Sequence, residues 1–185
     1  YLIIFNLMKL TKTKLKDCLI FEPDVFEDKR GFFLEVFNSR KYSNLAGHDF
    51  NFVQDNFSKS SKGVLRGLHF QKTNPQGKLI RVSKGEVFDV ALDLRKESKT
   101  FGKWISVILS CSNHKQIWIP PGFAHGFQVI SEYAHFEYKC TEFYDPKDEG
   151  CIFWDDKTLN IPWPIPNPVV SEKDSAGIFL SRLNS

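Results

Sequence analysis

Between about residue 60 and residue 145, short runs rich in Val, Ile, Phe and Tyr recur at intervals of roughly ten residues. That rhythm suits antiparallel strands joined by short connections and leaves little room for long helices. The runs Gly63–Gln71, Lys78–Ser83, Glu86–Leu94, Trp104–Cys111, Gln116–Ile119, Gly126–Ser131 and Ala134–Tyr144 read as strands. Turns separate several of them at Asn74-Pro75-Gln76-Gly77, Ser83-Lys84-Gly85, Ser112-Asn113-His114 and Pro120-Pro121-Gly122. Two earlier runs, Asp17–Phe21 and Gly31–Phe37, join through Glu22-Pro23-Asp24 and a charged turn at Asp28-Lys29-Arg30. Ser39–Gly47 suits one short helix, with Ser39 as its cap and Leu45 and Ala46 turned inward. The expected fold is therefore all-β, an antiparallel barrel or sandwich. The proline-rich stretch Ile161–Pro168 fits neither helix nor central strand, and is expected to wrap the barrel as an extended strap.

Composition narrows the class further. The chain has 185 residues, 25 Lys plus Arg against 22 Asp plus Glu, and 42% apolar residues, enough to build a packed core. One domain is expected, over residues 8–185. Residues 1–7 are apolar but too short for a membrane span and lack signal-peptide flanks. Met8, followed by a strand-like run, reads as a natural start, and residues 1–7 as an extension. The lysines are scattered among acids, which disfavours nucleic acid as a partner. Cys18, Cys111, Cys140 and Cys151 are widely spaced and form no CxxC pair, so reduced thiols and a cytoplasmic location are expected.

Strand alternation locates the chemistry. In Val64–Gln71, residues Leu65, Gly67, His69 and Gln71 share one face, and a bulge can bring Arg66 to the same rim. A His-x-His pair on such a strand, a later carboxylate and a further His are the ligand set of a metal-binding cupin, because alternate residues converge inside a small barrel. Here Gln71 replaces the second His and Lys78 falls near the carboxylate position; an ammonium repels a dication. The turn Pro120-Pro121-Gly122-Phe123-Ala124-His125 still delivers a histidine inward. What remains, His69, Lys78, His125 and Arg66, is a cationic, proton-exchanging pocket suited to an anionic substrate and a developing enolate. Taken singly, each histidine reads as a packed, hydrogen-bonded residue, Arg66 and Lys78 as solvated, and Tyr138 and Tyr144 as core aromatics. Their joint arrangement argues for catalysis. His48 and His114, in turn-like polar contexts, read as structural, and His135 lies in a strand with no catalytic assignment.

Seven stretches carry a family resemblance: Asp28–Glu35, Val53–Ser58, Gly63–Gln71, Gln76–Val82, Gly85–Arg95, Ile119–Phe127 and Tyr138–Thr141. Together, and in this order, they resemble the dTDP-4-dehydrorhamnose 3,5-epimerase family from about Met8 to Asp174. The family is a metal-free, cofactor-free cupin dimer acting on a nucleotide-linked 4-keto-6-deoxyhexose, so the resemblance implies that no metal or cofactor takes part. It implies His69 as general base, Asp174 as the acid that orients it, with Asp89 as the other candidate for that place, and Tyr138 as the acid on the opposite face of the sugar. Lys78, with His125 nearby, is implied to stabilise the enolate. Arg66 is implied to bind phosphate oxygens, Gln54, Asn56 and Ser58 to contact the nucleotide, and Tyr144 to lie near the thymine or diphosphate. Arg30, Phe33 and Glu35 are implied to come from the neighbouring protomer through an exchanged N-terminal strand.

Two rivals remain in view. One is an epimerase acting at C3 or C5 alone, or on a related nucleotide deoxysugar; the other is a cupin that binds a nucleotide sugar without turning it over. A metal oxygenase is opposed by Gln71 and Lys78.

Overall fold

The computed structural model describes residues 8–183; the reading of residues 1–7 as an extension lies outside them. The strands are β1 (Lys9–Lys12), β2 (Leu19–Glu22), β3 (Val25–Asp28), β4 (Gly31–Leu34), β5 (Gln54–Ser61), β6 (Leu65–Gln71), β7 (Lys78–Lys84), β8 (Glu86–Asp93), β9 (Trp104–Ser110), β10 (Gln116–Ile119), β11 (Phe123–Val129), β12 (Tyr133–Cys140) and β13 (Glu149–Cys151). Two short helices accompany them, α1 (Ser39–Ala46) and α2 (Glu172–Ser175). A six-stranded sheet has the order β1-β2-β10-β7-β12-β5, a five-stranded sheet the order β13-β6-β11-β8-β9, and β3 pairs with β4 alone. Every pairing within the sheets is antiparallel. This is the all-β architecture expected from the strand rhythm, in the cupin-type form that the family resemblance implied. Among the described residues, no helix is long and apolar enough to cross a membrane.

Alternation along the strands sorts side chains into three apolar layers. Ile80, Val82 and Phe136 of the first sheet meet Val87, Ala91 and Phe127 of the second between the sheets. Val90, Leu92, Leu68 and Phe70 face outward from the five-stranded sheet, onto Ile152, Leu159 and Trp163. Leu19, Phe21, Leu79 and Trp118 form the third layer with Tyr42 of α1 and Phe50. Each fully buried Leu, Ile or Phe contributes about 1.5–3 kcal/mol of transfer free energy, so the inter-sheet layer holds the two sheets together.

The helix α1 corrects two sequence expectations. Its cap is Asn38, whose side chain accepts from the Lys41 amide at 3.2 Å, not Ser39. It turns Tyr42 inward, whereas Leu45 is 41% exposed, because aromatic packing on Phe21 selects the helix face. Gly47 ends it with φ 78°, a left-handed conformation in which a side chain is strained. The polar strand β5 and the strands β3 and β13 lacked a legible apolar pattern in the sequence. Beyond β13, Ile165 and Gln128 exchange two hydrogen bonds at 2.8 and 2.9 Å, and Val169 bridges Val64 in parallel.

Candidate active site

A bulge in β6 shapes a polar cavity. His69 lies opposite His125 and Arg66 opposite Phe127, so two residues of β6, Gly67 and Leu68, face one of β11, Gly126. The extra residue shifts the alternation and turns Arg66 and His69 to the same cavity, as the sequence allowed. Gly67 makes this possible: its φ is 125°, and a Cβ there would lie 2.4 Å from the Gly126 Cα.

His69 Nε2 lies 2.5 Å from Asp174 Oδ1. Asp174 is held on α2, where its amide donates to Ser171 Oγ at 3.1 Å, and it is 2% exposed. Burial raises the Asp174 carboxyl, but hydrogen bonds from His69, Ser171 and the Gly67 amide outweigh it and hold the group below the usual carboxylate range. An ionised Asp174 accepts a hydrogen bond from the Nε2–H, which leaves the lone pair of His69 on Nδ1. Asp89, the other candidate for this place, instead meets His125, Oδ2 to Nε2, at 2.9 Å. Burial pushes the His125 imidazole down, against the opposing pull of Asp89, and the Lys78 charge adds to the fall.

Lys78 opens β7 opposite Cys140. The backbone behind it is pinned, since the Gly77 amide donates to Thr141 Oγ1 at 2.8 Å and the Thr141 amide to the Gly77 carbonyl at 3.0 Å. Burial lowers the Lys78 pKa, and the nearby Cys140, Glu149 and Asp89 only partly offset it. Tyr138 stands on β12 between Ile80 and Asn56. Burial raises its phenol to about 12, so it stays protonated at neutral pH.

These groups line one cavity of about 340 Å³, a volume suited to a small-molecule ligand. Gln54, Asn56, Ser58, Arg66, His69, Lys78, His125, Tyr138 and Tyr144 all border it, and Asp174 stands behind His69. Arg30, Phe33 and Glu35 do not; they belong to β4 and its flanks, away from this hollow. The rim is cross-linked: Gln54 Nε2 donates to Asn56 Oδ1 at 2.9 Å, Gln54 Oε1 accepts from the Tyr144 amide at 2.9 Å, and Arg66 Nε donates to Ser60 Oγ at 3.1 Å. Gln71 does not enter the cavity. It donates to the carbonyls of Asn74 and Phe143 and accepts from the Asp145 amide, lacing the loop that carries Tyr144.

Sequence reasoning missed Glu149 and Lys173, which border the same cavity. Lys173 Nζ meets Glu149 Oε2 at 2.8 Å, and the Tyr144 hydroxyl donates to the same oxygen at 2.9 Å. Lys173 was within reach, as the residue before Asp174; Glu149 carried no local signal. A second hollow, of about 370 Å³, lies on the outer face of the six-stranded sheet around Asp55, Phe57, Arg81 and Glu137, and no histidine borders it. The potential metal donors among the described residues form one group, His69, Cys151 and Asp174, which does not include His125.

The arrangement supplies a base, a buried cation and a protonated phenol around one cavity, the parts needed to move a proton beside a carbonyl. Comparison with known proteins agrees with that chemistry. The family model described as dTDP-4-dehydrorhamnose 3,5-epimerase matches residues 12–182. The dTDP-4-dehydrorhamnose 3,5-epimerase of Shigella flexneri is 56% identical over 171 residues, covering 92% of this chain and 94% of the relative. That of Pseudomonas aeruginosa is 54% identical with the same coverage. The crystal structure of dTDP-6-deoxy-D-glucose-3,5-epimerase from Legionella pneumophila, in complex with dTDP-4-keto-L-rhamnose, superposes with a TM-score of 0.93 at 50% identity, over 96% of this chain and 95% of that one. A 3'-monoepimerase from Streptomyces bikiniensis, in complex with dTDP-quinovose, superposes with a TM-score of 0.86 at 29% identity, over 91% and 86%. In fold, in the order of its motifs and in the groups around its cavity, the chain belongs to the dTDP-4-dehydrorhamnose 3,5-epimerase family.

Proposed function

We propose that this chain epimerises C3 and C5 of a dTDP-4-keto-6-deoxyhexose, with residues 8–185 acting as one catalytic domain in the cytoplasm. The observation that carries the reading is the gathering of His69, Lys78 and Tyr138 around one cavity, with Asp174 behind the histidine. His69 Nδ1 removes the proton from the carbon next to the C4 ketone. The negative charge moves onto the ketone oxygen, where Lys78 receives it; a lowered ammonium pKa brings that donor closer to the enol it protects. His125, kept uncharged by burial, adds a hydrogen bond on the same side. Tyr138 returns a proton to the opposite face of the carbon, and inversion results.

The remaining groups place the substrate. Arg66 and Lys173 at the rim suit the diphosphate, which favours bidentate and point cations. Gln54, Asn56, Ser58 and Tyr144 offer the polar and aromatic contacts a nucleoside needs. Arg30, Phe33 and Glu35 complete the site from the neighbouring protomer of a homodimer, through the exchanged N-terminal strand. The β3–β4 ribbon supports this: Phe32 is 58% and Phe33 69% exposed, and a lone two-stranded ribbon is marginal in water.

Turnover of dTDP-4-keto-6-deoxyglucose in heavy water tests the reading. Solvent deuterium at both C3 and C5 of an inverted product is the expected result, and its absence at both carbons refutes the assignment. A single-position epimerase is the second reading, favoured by the fold shared with the Streptomyces bikiniensis 3'-monoepimerase. Inversion with label confined to one carbon selects it.

A further inference from the structure

We propose that His69, Cys151 and Asp174 form a binding site for a soft divalent cation, Zn²⁺ by its ligand chemistry, and that occupancy of this site switches the catalytic base off. Cys151 lies directly opposite His69 in the antiparallel pairing of β13 with β6, so strand register itself sets the thiol beside the imidazole. Its Sγ stands 4.0 Å from Asp174 Oδ1, and the three donor atoms all lie within 4.8 Å of one another. A tetrahedral zinc with bonds of about 2.0–2.3 Å needs donors roughly 3.2–3.7 Å apart, so adjustments of about 1 Å complete the set.

The donor types choose the ion. Thiolate with imidazole and carboxylate suits zinc, whereas magnesium and calcium prefer all-oxygen sites. Asp174 is buried, so a cation meets a charged anchor beside the imidazole and the thiol. Nothing in the epimerase chemistry requires Cys151.

Occupancy acts through the imidazole tautomer. A neutral imidazole has one lone pair; once Nε2 gives it to the metal, the ring proton resides on Nδ1. The nitrogen that faces the sugar then carries a proton and cannot accept another. The balance is simple: the thiol proton leaves to solvent, the Nε2 proton is exchanged through solvent onto Nδ1, and the carboxylate is already ionised. No electron changes hands.

The switch rests on His69 being the base, whereas the site itself does not, and the test separates the two. Chelator-treated protein is first assayed for metal-free turnover and then titrated with Co²⁺. A thiolate-to-cobalt charge-transfer absorption saturating at one equivalent, displaced by Zn²⁺, is expected in the wild type and absent from both Cys151→Ala and Cys151→Ser. Both variants should keep wild-type metal-free turnover, which also reports that they fold. Zn²⁺ should inhibit the wild type reversibly on chelation, and the variants only at concentrations at least about tenfold higher. No absorption band in the wild type, or an equal band in the variants, overturns the site. A band accompanied by unchanged wild-type turnover overturns the switch.

Discussion

The imidazole of His69 and the carboxylate of Asp174 meet at 2.5 Å across 105 residues of chain. The strand supplies the imidazole and a single capped turn, hung from Ser171, supplies its counter-charge. Because the carboxylate occupies Nε2, the same contact leaves Nδ1 as the nitrogen with a free lone pair.

Asp174→Asn preserves the shape of that contact and removes its charge, and an amide that donates to Nε2 places the ring proton on Nδ1. Turnover is expected to fall by about 10²–10⁴, close to the loss in His69→Ala, with solvent deuterium exchange falling in step. Stability gives a second readout. The folded carboxyl is held below its ordinary 3.8, so its contribution is full above that value and is lost as pH falls through the folded-state pKa. Melting curves should therefore show wild type ahead of the variant at pH 6 and the two converging in strong acid.

Tyr138→Phe removes the proton donor and leaves the base in place. Exchange of the sugar proton with solvent should continue while inversion stalls, an outcome that mass and NMR analysis of recovered sugar separates. Equal loss of both would assign the phenol to binding instead.

Lys78→Met keeps an unbranched side chain one atom shorter and removes the charge proposed to meet the enolate. The expected effect is a fall of about 10²–10³ in kcat with little change in KM, since the charge it answers exists chiefly in the transition state. Unchanged steady-state kinetics would place enolate stabilisation elsewhere.

Gly67→Ala puts a methyl group where the Gly126 backbone already lies, at a φ of 125°. A loss on the order of 3 kcal/mol is expected in denaturant unfolding. If the protein stays folded, it should also lose activity, because the bulge that turns His69 and Arg66 inward is disturbed.

With the homodimer proposed above, Phe33→Ser on the exposed ribbon should shift sedimentation from dimer towards monomer and make activity depend on protein concentration. A monodisperse, fully active variant would show that the ribbon is dispensable to the site.

Much of this was legible in the residues. The spacing of apolar runs predicted seven strands whose positions the structure reproduces to within a few residues, the largest differences being at the ends of β11 and β12. Gln54, Asn56 and Ser58 were found through their motif, although β5 itself carries no apolar alternation and owes its place to pairing with β12. The helix face of α1 was misread, since its three-dimensional neighbour Phe21 outweighs the intrinsic preference of Leu45.

Alternation, turn chemistry and motif order are properties of neighbouring residues, so the sequence by itself determined the barrel, the absence of a His-x-His metal pair and most residues bordering the cavity. Only tertiary structure decided between Asp174 and Asp89 as the partner of His69, gave Asp89 to His125, brought Glu149 and Lys173 to the rim and set Cys151 beside the base. Those pairings join distant segments, and strand register, a one-residue bulge and the docking of α2 settle them by packing that no local pattern encodes.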